Sequence, residues 1–416
     1  MSFNIALTGL TSVNDQLDAI SNNIANSGTT GFKSSRANFA SIYSDTQAMG
    51  VETTNLTQSI SQGGSLASTG RTMDLAISGG GFFMTKASNG DVSYTRAGVF
   101  GTDANNQIVN ASGQLLQGYP VDSNNNLQVG TVSNLQLSSS NIPAKATSRV
   151  DFTFNLDANA KVPTSTPFDP LKIDTYNSTY TSKVYDSQGK EHTLTQYFVK
   201  TGDNEWNSHY FVDGTAAANN IGTQTLTYNE TGLMTSPYDE ARVKANDPTD
   251  PPQHQDVILT TTNLAGGVAQ LSIAMGYKGA TQYGSEFVVT ANNPDGYSAG
   301  EQTGVAIEKD GKIYSTYSNG ERLLQGQLAL ATFTNLDGLK SISGTAWQET
   351  IDSGNPVIGS ATVGVFGDIS SGALENSNVN LTEQLVALME GQRNYQANTK
   401  VLSTDKELTQ VLFNAI

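Results

Sequence analysis

The sequence predicts a mainly β protein with α-helical termini, the two terminal helices paired and nested antiparallel β domains lying between them. Three observations carry this expectation. All 11 prolines fall between Pro120 and Pro356, so both ends lack the residue that breaks helix interiors. Both ends place apolar residues at helical period, whereas the middle alternates with period two between Asx-Gly turn signals.

At the N-terminal end, Phe3, Leu7, Leu10, Asn14, Leu17, Ser21 and Ile24 recur at alternating steps of four and three. Ala6, Val13 and Ile20 form a flanking apolar row. The pattern predicts a helix over residues 3–24 with one buried face, stopped by Gly28 and Gly31.

The C-terminal end predicts a longer helix. Asn380 is suited to cap it, with Glu383 at the capping-box position. One row runs Leu381, Leu385, Leu388, Gln392, Tyr395, Thr399, Leu402, Lys406, Thr409 and Phe413, and a second holds Ala397, Val401, Leu408, Val411 and Ala415. Together they make a wide apolar surface on a helix roughly 50 Å long at about 1.5 Å per residue. Two helices pairing as an antiparallel hairpin cannot cover so wide a surface, so partners from other chains are expected.

The middle, 73–355, reads as strands and hairpins. Asp310-Gly311 and Asn319-Gly320 are type I′ turn signals around a strand at Lys312–Tyr317, and Asn89-Gly90, Asp213-Gly214 and Asp295-Gly296 mark further turns. Phe152 to Leu156 alternates with period two. No βαβ rhythm is visible, so parallel pairing is not expected. Asp247–Pro252 reads as an exposed loop. Terminal helices around β domains imply a chain that runs outward and returns. The expected layout is 1–30 plus 376–416 helical, 31–72 plus 360–375 connecting, 73–147 plus 297–359 a β domain, and 148–296 the outermost β domain.

Composition narrows the function classes. The chain has 416 residues, 38 acidic against 22 basic, and a formal net charge of −16. No basic stripe is available to neutralise phosphates, which argues against nucleic-acid binding. Zero cysteine removes disulfides, thiolate metal sites and a catalytic thiol. Only 14% of residues are charged, so the polarity comes from Ser, Thr, Asn, Gln and Gly. No apolar run approaches the roughly 18 residues of a membrane span, so membrane insertion is not expected. No basic residue precedes Lys33, so no cleaved secretory signal is expected either.

No active site emerges. His192, His209 and His254 are the only histidines and read as isolated surface imidazoles without zinc-binding spacing. Trp206 and Trp347 read as core aromatics. No nucleophile elbow or phosphate loop occurs, and neither an enzyme nor a cofactor is expected.

Several separated segments carry a resemblance. Asn22 to Lys33, with Asn23, Ile24, Ala25, Asn26, Thr29, Gly31, Phe32 and Lys33 at the matching positions, resembles the N-terminal signature of the bacterial flagellar rod, hook and hook-associated proteins. Ala76 to Phe83, Tyr94 to Gly98, Glu375 to Glu383 and Gln392 to Asn398 resemble the same family, in the same order, with Asn380 where the family commonly has Asp. Phe32 to Arg36, Tyr185 to Gly189, Tyr317 to Gly320 and Phe333 to Leu339 are similar to its hook-type members.

The resemblance implies a structural subunit of the flagellar hook, a curved extracellular tube that acts as a universal joint and transmits torque from rod to filament. It implies export by the flagellar type III apparatus and self-assembly into a helical homopolymer under a hook cap. Distal-rod and hook-associated junction proteins are the implied neighbours. A distal-rod or hook-associated role is the alternative, and a secreted β-rich adhesin a remoter one. Inner-tube packing is then expected from Phe3, Leu7, Leu10, Leu17, Ile24, Leu381, Leu385, Leu388, Leu402, Leu408 and Leu412. The motif Asn23, Ala25, Asn26, Thr29, Gly31, Phe32 and Lys33 is expected to join helix to domain.

Overall fold

The computed structural model describes residues 2–44, 47–122, 125–138, 140–237, 256–261 and 269–414. The Asp247–Pro252 loop and His254 lie outside the described residues. The chain forms two compact units, one of 1–139, 303–316 and 322–416, the other of 140–302 with 317–321.

In the first unit, helix α1 (Ser2–Ala25) and helix α2 (Leu381–Asn414) lie side by side and antiparallel. A Cβ added at Gly9 would meet Asn398 at 3.0 Å, one at Gly391 would meet Leu17 at 2.7 Å, and Asn23 donates to Gln384 Oε1 at 3.0 Å. As α1 advances, its neighbours on α2 step backward, and small residues let the two helices approach closely. Asn380 caps α2, its Oδ1 accepting from the amide of Thr382 at 3.1 Å.

Within the chain α1 buries the flanking row and leaves the Phe3–Leu7 row open. Ala6, Val13, Ala19, Ile20 and Asn23 are buried, whereas Phe3 and Leu7 are exposed and Leu10, Leu17 and Ile24 half-buried. That row runs beside Gly9 and Ser12, the narrow side of the helix. It lets α2 and a long hairpin, β1 (Ser35–Ser44) and β2 (Gln47–Gln58), both pack close. Thr53 on β2 donates to Asp15 Oδ2 at 2.6 Å. This hairpin fills most of the segment expected only to connect helix and body. Its Ser-containing first strand and Thr-containing second strand lack the apolar alternation that announces a strand pair.

The β body of this unit is built on an extended antiparallel sheet. Strands Arg322–Thr332, Leu115–Pro120, Phe82–Lys86, Val92–Thr95 and Ala346–Gln348 are neighbours in that order. Phe82, Tyr94, Phe333 and Trp347 pack edge-on within one core, and Trp347 donates to Gln58. The strand at Lys312–Tyr317 forms as expected, but its turns are not type I′. Only Gly311 and Gly320 have positive φ, +82° and +87°, and Gly311 N donates to Glu308 O while Glu308 N donates to Lys312 O. This is a type I turn closed by a glycine bulge, which needs one left-handed residue and not two.

Among the described residues, the second unit is a sandwich of two five-stranded sheets. One is an antiparallel meander, Ser178–Tyr185, Glu191–Gly202, Glu205–Val212, Asn220–Tyr228 and Met234–Ser236. The other is centred on Arg149–Asp157, whose Val150, Phe152, Phe154 and Leu156 alternate into the core as expected. Trp206, Tyr210, Phe198, Ile273 and Tyr277 fill the same core. Here the expectation of purely antiparallel β is corrected. Arg149–Asp151 pairs in parallel with Ala274–Gly276, and Asn155–Asp157 in parallel with Thr281–Tyr283. More than a hundred residues separate these partners, so the crossover needs no helix and leaves no βαβ signal. Asp295-Gly296 is no hairpin turn; Asp295 instead caps the amides of Ser148 and Arg149, both at 2.8 Å.

Candidate functional site

Two features of the first unit bear on function: the helical pair and the joint beneath it. On α2, Leu381, Leu385 and Leu408 are exposed, as are Val386, Met389, Val401 and Val411. Leu388 and Leu402 are half-buried, and the Leu412 side chain lies outside the described residues. Phe3 lies in a shallow cleft with Leu402, Lys406 and Thr409. Every described residue expected to pack an inner tube is thus at least partly open, because among the described residues α1 is the only helix against α2.

The linker motif forms the joint. Asn23 grips the start of β1 from both sides, its Nδ2 donating to Ser35 O and its Oδ1 accepting from Ser35 N, each at 2.8 Å. Asn26 extends the helix end by donating to Asn22 O at 3.0 Å, and Thr29 donates to Asn26 Oδ1 at 3.1 Å. Ala25, the last helical residue, stays exposed. Gly31 has φ +70°, and a Cβ there would sit 2.5 Å from Ala97 N, so no side chain fits. The amide of Gly31 donates to Glu375 O at 2.8 Å, and Phe32 O accepts from Asn378 N at 3.4 Å.

Lys33 completes the joint. Its ammonium is buried and donates to Glu375 Oε1 at 2.6 Å and Gln62 O at 2.7 Å. The other Glu375 oxygen accepts from Arg96 Nη1 at 3.2 Å. Arg96 also donates to Gly79 O at 2.8 Å and lies 5.4 Å from the centre of the Phe82 ring. Burial pushes both cations toward neutrality, and the Glu375 carboxylate opposes that shift without cancelling it. Three of the quoted motifs therefore meet at one carboxylate. Each was legible alone, but their convergence was not, since the three residues are far apart in the chain. Arg96, Glu375 and Asn378 lie in segments that carry the resemblance but have no spacing in the sequence that joins them.

In the second unit, His192 is not the isolated surface group expected. It is buried, with Nε2 3.1 Å from Asp186 Oδ2 and Nδ1 on Asp213 Oδ2. Burial pushes the imidazole pKa down, but hydrogen bonds and charge from Asp213 and Asp186 outweigh it, leaving the pKa raised. His209 stacks on Phe168 at 4.1 Å, and burial lowers its pKa. Both tryptophans are core residues as expected. Among the described residues no group of three or more His, Asp or Glu is arranged to hold a metal. No described helix is long and apolar enough to cross a membrane.

Comparison with known proteins matches this architecture segment by segment. Residues 3–33 match the family described as flagella basal body rod protein, and 76–160 the flagellar hook protein FlgE/F/G D1 domain. Residues 155–297 match the flagellar basal body protein FlaE D2 domain, and 370–415 the flagellar basal body rod FlgEFG protein C-terminal family. The flagellar hook protein FlgE of Salmonella typhimurium is 36% identical over 428 residues, covering 100% of both chains. That of Escherichia coli is 35% identical over 421 residues, again covering 100% of both. That of Borreliella burgdorferi is 31% identical, over 98% of this chain and 97% of its own. The crystal structure of Helicobacter pylori flagellar hook protein FlgE2 covers 74% of this chain and 100% of its own, with a TM-score of 0.52 and 13% identity, a likeness of fold. With helical ends, matching β domains and full-length relatives, this chain belongs to the flagellar hook protein family of the basal body–hook, and is a structural subunit of the bacterial flagellar hook.

Proposed function

We propose that the paired ends of this chain form the inner wall of the hook tube, with the β domains outside it. The observation carrying the proposal is the open apolar surface of α1 and α2. Phe3 and Leu7 are each 49% exposed, Leu385 50% and Leu408 62%, a surface one chain cannot cover. A head-to-tail helical polymer supplies neighbours for such faces and does not close on itself.

In this reading residues 1–30 with 376–416 are the inner layer, and 31–72 with 360–375 connect it to the body. Residues 73–147 with 297–359 form the next layer, and 148–296 lie outermost. Phe3, Leu7, Leu10, Leu17, Ile24, Leu381, Leu385, Leu388, Leu402, Leu408 and Leu412 pack between subunits, and Asn23 to Lys33 sets how the helix leaves the body. The chain is exported by the flagellar type III apparatus to the cell exterior and assembles under a hook cap. It meets the distal rod at one end and hook-associated junction proteins at the other, and bends as a universal joint. It needs no cofactor and catalyses no reaction.

Electron microscopy of a strain lacking the chain tests this reading. Basal bodies ending at the rod are the expected outcome. Hooks present without filaments would transfer the chain to a hook-associated role.

A further inference from the structure

Glu375 is the only described carboxylate in ion-pair contact with Lys33 or Arg96, and it also accepts from the amide of Gly64 at 2.9 Å. Lys33 belongs to the segment leaving α1, Arg96 to the β body, and Glu375 to the strand Ala373–Glu375 that leads into α2. All three side chains are at most 5% exposed. Two cations thus share one anion in a dry joint. The carbonyls of Gln62 and Gly79 and the face of Phe82 help offset the excess positive charge.

The same residues tie the two linkers directly. Gly31 N donates to Glu375 O, Ser34 N donates to Asn378 Oδ1 at 2.7 Å, and Asn378 Nδ2 donates to Ser59 O at 3.0 Å. Strand Ala373–Glu375 pairs with Leu66–Ser68, and Asn376 N donates to Ser65 O at 2.9 Å. Next to α1 and α2, each linker is held in part through the other. Withdrawing Glu375 strands Lys33 and Arg96 as buried cations without a counter-charge, and withdrawing the N-terminal segment removes the acceptors and donors that seat Asn378.

We propose that Glu375 is a two-way latch that docks both chain ends on the β body as a single cooperative unit. A subunit then presents either both helical ends in register or neither, so a half-docked chain with one end ordered is not a populated state. The latch acts through positioning, because Glu375 lies beneath the helical pair and not on its open apolar faces.

Amide hydrogen exchange on the full chain tests this with Glu375→Gln, which keeps the side-chain shape and removes the charge. The amides of Gly31 and Ser34 on one side, and of Asn376 and Asn378 on the other, are expected to lose protection together, each by at least about tenfold. The amides of Leu328 and Leu330, fully buried in the body, are expected to keep theirs. A triple variant, K33M with R96M and E375M, removes every charge while keeping bulk, and is expected to restore protection to both linkers. Loss confined to Asn376 and Asn378 would overturn the latch. So would a triple variant as unprotected as Glu375→Gln, since charge pairing would then not be what holds the ends.

Discussion

In the sandwich unit, Val150, Phe152, Phe154, Trp206, Tyr210, Ile273 and Tyr277 are each within 1% of full burial. In α2, Leu385, Met389, Leu408 and Val411 are between 50% and 65% exposed. Both regions are amphipathic by design, one with period two and the other with helical period, yet only the first closes on itself. A sheet can find its apolar partner in a second sheet of the same chain. A 34-residue helix with one 24-residue neighbour cannot. The contrast separates a part that closes within a single chain from a part whose apolar side chains stay open within it.

Removing the open part should give the largest effect. Deleting residues 1–24 takes away the helix packed against α2, and polymerisation is expected to cease while calorimetry still reports a folded β core. Normal tubes from that truncation would erase the contrast. Leu385→Asp sharpens it, since the residue touches little within its own chain. Tube yield is expected to fall at least about tenfold with no change in the melting of the β units, and a large drop in that melting would show α2 packing inward instead.

Gly31→Ala probes the joint between the regions. Its positive φ and the blocked Cβ position cost about 1–3 kcal/mol. Chemical denaturation should register this in the first unit only.

The smallest effect lies in the sandwich. His192 has a folded pKa raised above its ordinary 6.5, so its stabilisation is complete below that value and fades as pH climbs through the raised one. Asp186 and Asp213 are lowered from 3.8 despite burial, through His192 and backbone amides, so their contribution is present above 3.8 and fades as pH falls through the lowered values. The unit is therefore expected to be most stable between the two windows. Calorimetry of His192→Gln should remove the decline that sets in as pH rises above 6.5; an unchanged slope would assign it to another group.

The sequence made different parts of the molecule legible to different degrees. The helices were readable because Leu385, Leu388 and Leu402 repeat with a helical period and Asn380 marks a start. The strand at Phe152–Leu156 was readable from alternation alone. The hairpin of β1 and β2 was hidden, since its two strands are held along α1 by Thr53 and Gly50 and not by an apolar stripe. Within the chain, close approach selects Ala6, Gly9 and Ser12 for burial on α1, while Phe3 and Leu7 stay open. The triad and the His192 clamp escaped because a charge pair depends on distance in space, and Lys33, Arg96 and Glu375 lie in three distant segments.

The absence of cysteine makes the central claim directly measurable, because one introduced thiol is then unique. Met389, 62% exposed on α2, replaced by cysteine can be timed against a soluble thiol reagent in the monomer and in the assembled tube. If the open helical faces are where copies meet, reactivity should fall at least about tenfold on assembly. Equal reactivity in both states would mean that α2 remains uncovered in the tube and that the helical ends are not its inner wall.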